Sequence, residues 1–302
     1  MMKAMRVIFL CLVLFMVPLS SRARDASFSV VATLTSNKEI GLIGVIGGLF
    51  FDESRQRLYV CDSSNGRILA YDSEFNYLSA LKPGGDLKYP ASIVKSQENI
   101  FFVIDPTIRG VLAVDVTQKL VRKVQLAGIP KADTFHPGNM TIDSYGNIYI
   151  IDKANSGILL FDSNLMFQRE ILRVEHGNID DVKIDPQGNI YTISTIEGIV
   201  RKYTSSGDKV LEFGKRGDGK DEFHFPVSLA VDSQGTIYVL DKHKGKVLLF
   251  DETGRFMLDF SKFGWKEGEL AYPSFIAVNN AHLIFIADQD NARVSVFKLV
   301  GM

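Results

Sequence analysis

One apolar five-residue phrase occurs six times in this chain at nearly constant spacing, and it limits the possible folds more than any single residue does. The copies are Leu58 to Asp62, Phe101 to Asp105, Ile148 to Asp152, Ile190 to Ser194, Ile237 to Asp241 and Ile284 to Asp288. Their final residues lie 43, 47, 42, 47 and 47 positions apart. β-Branched and aromatic runs of this length favour strands. A strand-bearing unit that recurs at this period cannot bury both its faces alone and must stack on its neighbours, which predicts a β-propeller.

The fifth copy shows the whole unit. Val227 to Asp232, Ile237 to Asp241, Lys246 to Phe250 and Arg255 to Phe260 read as four short antiparallel strands, A to D, separated by turns. Asp143 to Asn147 and Asp185 to Asn189 fill the first turn of the third and fourth copies, with Gly146 and Gly188 where such a turn requires a positive φ. Nine residues beyond each phrase stands the anchor of the third strand: Tyr71, Val114, Phe161, Tyr203, Phe250 and Phe297. The fold class expected is all-β: a six-bladed β-propeller of four-stranded antiparallel blades, with cores near 46–80, 90–126, 137–173, 179–213, 226–260 and 273–299. Only Lys298 to Met302 follow Phe297, too few for a fourth strand in the last blade. Phe28 to Leu34 is expected to supply it, closing the ring and removing exposed sheet edges.

Phe213 to Pro226, followed by the pattern from Asp232 to Asp241, resembles the NHL repeat. So do Phe263 to Gly268, Asn65-Gly66-Arg67-Ile68 and Asn291-Ala292-Arg293-Val294. The resemblance, to a secreted member of bacterial type, runs from about residue 46 to the end. Repeat four departs most, with Ser194 for Asp and Ile179 where Pro90, Pro137, Pro226 and Pro273 stand elsewhere. NHL-like propellers include a zinc lyase for peptidyl hydroxyglycines, whose histidines open the inner strands. The matching positions here are Ala91, Gly138, Asp180, Val227 and Ser274, which argues against that activity. For a calcium-dependent lactonase only Asn139, Asp180 and Asp181 are suggestive.

Lys3 and Arg6, the apolar run Val7 to Leu19 and the sequence Ser21-Arg22-Ala23 read as a secretory signal peptide, residues 1–23, ahead of a single propeller domain, 24–302. The apolar run is too short to span a bilayer as a helix. Arg22 beside the cut leaves an uncleaved membrane anchor as the alternative. A secreted or periplasmic protein is expected. Cleavage removes three cations and no acid, moving the net charge from −1 to −4. That balance, with export, argues against nucleic acid as a partner. Cys11 leaves with the signal, so Cys61 has no partner for an internal disulfide. Cys61 stands where the other copies have Ile104, Ile151, Ile193, Leu240 and Ala287, and is expected to be a buried, inert thiol.

Strand order places the segments between blades and the B–C turns on one face, the expected site of binding. The B–C turns there carry Arg67, Arg109, Lys153, Lys242, Lys244 and Arg293, a ring of cations suited to an acidic peptide, a glycan or another protein's carboxylates. The interblade segments carry His136, His176 and His224, and Asp180 follows His176 closely; together they could hold zinc or calcium. Asp62, Asp105, Asp152, Asp241 and Asp288 are expected to accept backbone N–H groups in their own turns. Tyr89, Phe225 and Tyr272, each before a proline, are expected to pack rather than stack on ligand. The glycine-rich run Gly41 to Gly48 leads into a strand, so it lacks the helix N-terminus a phosphate cradle needs. The sequon at Asn139 falls in an inner strand, where a glycan would not fit. The function expected is a monomeric, non-catalytic scaffold binding a protein or peptide and holding no cofactor. The alternative is a metal-dependent lyase or lactonase-like hydrolase at the channel mouth.

Overall fold

The computed structural model describes residues 27–82, 85–118 and 120–300. The expected signal peptide, its cleavage site and Cys11 lie outside these residues. Six four-stranded antiparallel sheets stand in a ring. Blade one holds β2–β5 (Ile46–Asp52, Arg57–Asp62, Arg67–Tyr71, Tyr77–Leu81) and blade two β6–β9 (Ser92–Lys95, Ile100–Asp105, Gly110–Asp115, Leu120–Lys123). Blade three holds β10–β13 (Pro137–Ile142, Ile148–Asp152, Gly157–Phe161, Phe167–Arg173) and blade four β14–β17 (Asp181–Ile184, Ile190–Ser194, Ile199–Tyr203, Lys209–Phe213). Blade five holds β18–β21 (Pro226–Val231, Ile237–Asp241, Lys246–Phe250, Phe256–Phe260), and blade six β22–β24 (Phe275–Val278, Leu283–Asp288, Arg293–Val300) with β1 (Ser27–Leu34) outermost.

Stacking explains the sequence pattern. The B strands β11, β15 and β19 are buried at every residue because blades cover both their faces, so they read as apolar runs rather than alternations. Outer strands such as β5 and β17 are half-exposed and mix polar with apolar residues. The core is correspondingly divided into six buried clusters, one at each interface between adjacent blades. Cys61 is fully buried in the cluster between blades one and two, and burial pushes its thiol pKa well up, as the inert role requires.

β1 closes the ring, pairing antiparallel with β24 from Ser27 opposite Val300 to Leu34 opposite Val294. Phe28 reaches the neighbouring blade and stacks on Phe260 with ring centroids 3.9 Å apart. The inner strands touch all round the axis. At one register position they also exchange polar bonds. Ser92 Oγ accepts Met140 N–H at 3.1 Å, the Asn139 amide donates to Asp180 O at 3.0 Å, and the Ser228 hydroxyl donates to Asp181 Oδ2 at 2.6 Å. At the matching place in blade one stand Gly47 and Gly48; a Cβ on Gly47 would lie 2.8 Å from Pro90 O and 2.9 Å from Ala91 Cα. Close strand approach, not phosphate binding, accounts for these glycines. The first-turn glycines Gly146, Gly188 and Gly235 have φ of 87°, 83° and 84°, as the turn type requires. No described helix is long and apolar enough to cross a membrane.

Candidate functional site

Each aspartate at the end of a B strand fastens the loop face, the side formed by interblade segments and B–C turns. Asp105 Oδ2 accepts the N–H groups of Lys88 and Tyr89, both at 2.8 Å, while Oδ1 accepts Thr107 N–H at 2.9 Å and the Thr107 hydroxyl at 2.6 Å. Burial alone would raise its pKa. The bonds from Thr107, Tyr89 and Lys88 outweigh that and hold it below the usual carboxylate value. Asp62, Asp152, Asp241 and Asp288 likewise take N–H groups from Gly44, His136, His224 and Ala271. The bonds expected inside each turn are thus only part of the arrangement, because the same carboxylate also ties that turn to the interblade segment.

Three of the six loop-face cations complete these junctions. Arg67 donates to Asp62 at 2.7 Å and to the carbonyls of Ile40 and Leu42 at 2.7 and 2.8 Å. Arg293 does the same with Asp288 and the carbonyls of Lys266 and Glu269, each at 2.8 Å. The Lys244 ammonium donates to Gly219 O at 3.0 Å and Glu222 O at 2.7 Å. Arg109 and Lys153 are exposed and Lys242 is half-buried, and none of their heads has a side-chain partner among the described residues. They lie on the B–C turns of blades two, three and five.

His136, His176 and His224 stand on three separate interblade segments, with the His224 ring against Asp218. Asp180 is engaged elsewhere: its Oδ2 accepts Thr195 N–H at 2.7 Å and the Asn178 amide at 2.6 Å. Among the described residues no three His, Cys, Asp or Glu side chains converge on one point, so His136, His176, Asp180 and His224 are not brought together as a ligand set. Asp181 does not offer a calcium site on the channel either. It is fully buried and saturated by Lys183 at 2.7 Å, Ser228 at 2.6 Å and Leu229 N–H at 3.1 Å. Lys183 in turn lies 4.6 Å from the Phe275 ring centre across a passage of about 200 Å³ whose other lining side chains, Thr141 apart, are apolar.

At the junction of blades five and six the loop face carries a contiguous chain of rings. Phe225 stacks on His243 with centroids 4.6 Å apart, and Tyr272 meets His243 at 6.1 Å and Phe263 at 5.2 Å. Trp265 meets Phe263 at 5.2 Å and is 66% exposed. Tyr272 is itself exposed and has a φ of 47°, a conformation that a bulky residue rarely adopts and that clusters at functional positions. The packing expected of Phe225 and Tyr272 is therefore only half of the picture. The rings that turn this packing into a surface, Phe263, Trp265 and His243, meet only when two blades and three loops are assembled, so the repeat pattern of Phe263 to Gly268 does not by itself reveal the surface. Arg293 holds the Trp265 loop rigid through its bonds to the carbonyls of Lys266 and Glu269.

Two further openings lie on the opposite side, where the A–B turns meet. The channel mouth there, about 770 Å³, is bordered by Asp52, Glu53, Arg55, Lys95, Asp143 and Asn280. A groove of about 280 Å³ runs from it between blades one and two.

No family profile and no curated protein matches this sequence. Solved structures do match in fold. Virginiamycin B lyase from Staphylococcus aureus superposes with a TM-score of 0.64 at 9% identity, covering 91% of this chain and all 100% of its own. A gluconolactonase from Xanthomonas campestris gives 0.66 at 15% identity, covering 92% of this chain and 91% of its own. An auxiliary nutrient binding protein from Bacteroides ovatus gives 0.66 at 12% identity, covering 91% of this chain and 77% of its own. These similarities establish the propeller architecture, on which unrelated activities are built.

Proposed function

We propose that the protein is an exported binding propeller that docks a polypeptide segment on its loop face. The observation that carries this reading is the ring chain Phe225, His243, Tyr272, Phe263 and Trp265, in which all but the half-buried Phe225 are exposed. Aromatic anchors on a rigid support supply contact area at small entropic cost. Exposed Lys266 and half-buried Lys242 flank the rings and favour acidic side chains in the segment. Arg67 and Arg293 act one step back, as clamps of the loops that present the surface. Export rests on the signal-like residues 1–23, and N-terminal sequencing of the mature protein tests it.

Selection from a displayed peptide library should enrich aromatic, acidic peptides. Trp265→Ala, at an exposed site, should weaken them about tenfold or more while leaving the melting temperature unchanged. Enrichment that survives Trp265→Ala, or binding to a glycan array but to no peptide, overturns this reading. The alternative, a metal-dependent lyase or lactonase-like hydrolase, draws support from the enzymes among the structural neighbours. It ranks lower because the candidate ligands are separated and Asp181 is saturated. Stoichiometric zinc or calcium in protein purified without chelator would reverse the order.

A further inference from the structure

Two cations in blades one and two have no part in the repeat. Lys95 ends β6 at the register position that the other blades fill with Phe51, Ile142, Ile184, Val231 and Val278, all apolar. It is 9% exposed, and its Nζ lies 2.7 Å from Asp52 Oδ2 on the neighbouring blade. A buried ammonium in place of hydrocarbon is costly, and the fold does not require it. Arg57 opens β3 where blades three and four have Asn147 and Asn189, whose amides donate to Asp143 and Asp185. In those blades the same aspartates also accept the hydroxyls of Tyr149 and Tyr191. In blade one Asp52 faces Lys95 instead.

Both departures face the groove between blades one and two. Its charged end is formed by Arg55, Arg57 and Lys95, its walls by apolar side chains including Tyr59, Leu78 and Phe101, and no acid lines it. Asp52 balances Lys95, but neither guanidinium has an acidic partner among the described residues. We propose that this groove is a binding site for a monocarboxylate with a compact apolar body. The carboxylate lies between the Arg55 and Arg57 forks beside the Lys95 ammonium, and the apolar body lies against Tyr59, Leu78 and Phe101. The volume, about 280 Å³, sits at the small end for ligand pockets and suits a short aryl or alkyl acid rather than a long lipid chain. The site is on the opposite side from the aromatic ridge and stands independently of it.

Isothermal titration with 3-phenylpropionate, hexanoate, 3-phenylpropanol and inorganic phosphate tests the proposal. At least one of the two carboxylates should saturate a single site per chain, with the neutral alcohol about tenfold weaker or worse. Arg57→Gln, at a half-exposed position, should keep the fold and weaken the carboxylate about tenfold or more. The pair Asp52→Asn with Lys95→Met removes the buried charges together, so the protein should melt no earlier while binding weakens. The proposal is overturned if neither carboxylate binds by about 10 mM. Alcohol or phosphate binding as tightly as the carboxylates, or unchanged binding in Arg57→Gln, overturns it equally.

Discussion

Asp105 carries four hydrogen bonds to two segments, and their loss has a definite size. Asp105→Ala removes the acceptor of the N–H groups of Lys88, Tyr89 and Thr107, which should cost about 1–3 kcal/mol in denaturant titration, since these donors are only part-buried and water can satisfy some of them. The same carboxylate imposes a pH dependence. Its folded pKa lies below the unfolded value, so its stabilisation is fully present above about pH 4 and is lost as pH falls through the folded pKa. Asp288 runs the other way: burial outweighs the bonds from Asn291, Ala271 and Arg293 and raises its pKa, so its contribution improves as pH falls through the folded value. Melts from pH 7 to 3 should show the gap between the parent and Asp105→Asn shrinking below about pH 4. A constant gap would mean that the charge of Asp105 contributes nothing beyond its shape.

At the scale of one element, blade four shows how a repeat survives the loss of its defining residue. Ser194 replaces the B-strand aspartate, and Asp180, from the other side of the same junction, supplies the missing carboxylate to Thr195 N–H at 2.7 Å. The Ser194 hydroxyl completes the exchange by donating to Asn178 Oδ1 at 2.7 Å. Asp180→Ala should therefore destabilise by about 1–3 kcal/mol, the cost of an orphaned donor. Adding Ser194→Asp to that variant restores the arrangement of the other five blades, and at least half of the lost stability should return in denaturant titration. A double variant no more stable than Asp180→Ala would show that the two carboxylates are not interchangeable. Asp180 thus reads as a structural substitute, which explains why it resembles a ligand in the sequence yet binds within its own junction.

Across the whole molecule, the ring is closed by a strand that starts the described chain and pairs with its last strand. β1 covers the edge of β24, and its Phe28 and Val30 pack into the cluster between blades five and six. Removing residues 25–36 should expose that cluster and unpair β24, a loss of several kcal/mol at about 25 cal/mol per Å² of apolar surface. That is comparable to the roughly 5–15 kcal/mol by which a domain is stable. Thermal scanning should find the shortened protein aggregating or melting far below the form that begins at residue 24. Equal melting temperatures would mean that the other three strands of blade six hold the ring without it.

The blades were legible in the sequence because each repeats the same local problem. An apolar B strand covered on both faces, a glycine at a positive-φ turn and an aspartate at the strand end recur wherever the chain makes the same turn, and repetition makes weak signals add. Closure was legible too, since counting strands leaves the last blade one short and Phe28 to Leu34 unassigned. What each polar residue does at the junctions depended on partners from adjacent blades. Arg67 and Arg293 look like free cations until the carbonyls of distant loops are placed against them. The aromatic ridge and the groove between blades one and two depended on tertiary structure for the same reason. Their residues come from separate turns or neighbouring blades, and only ring closure sets the few ångströms between them.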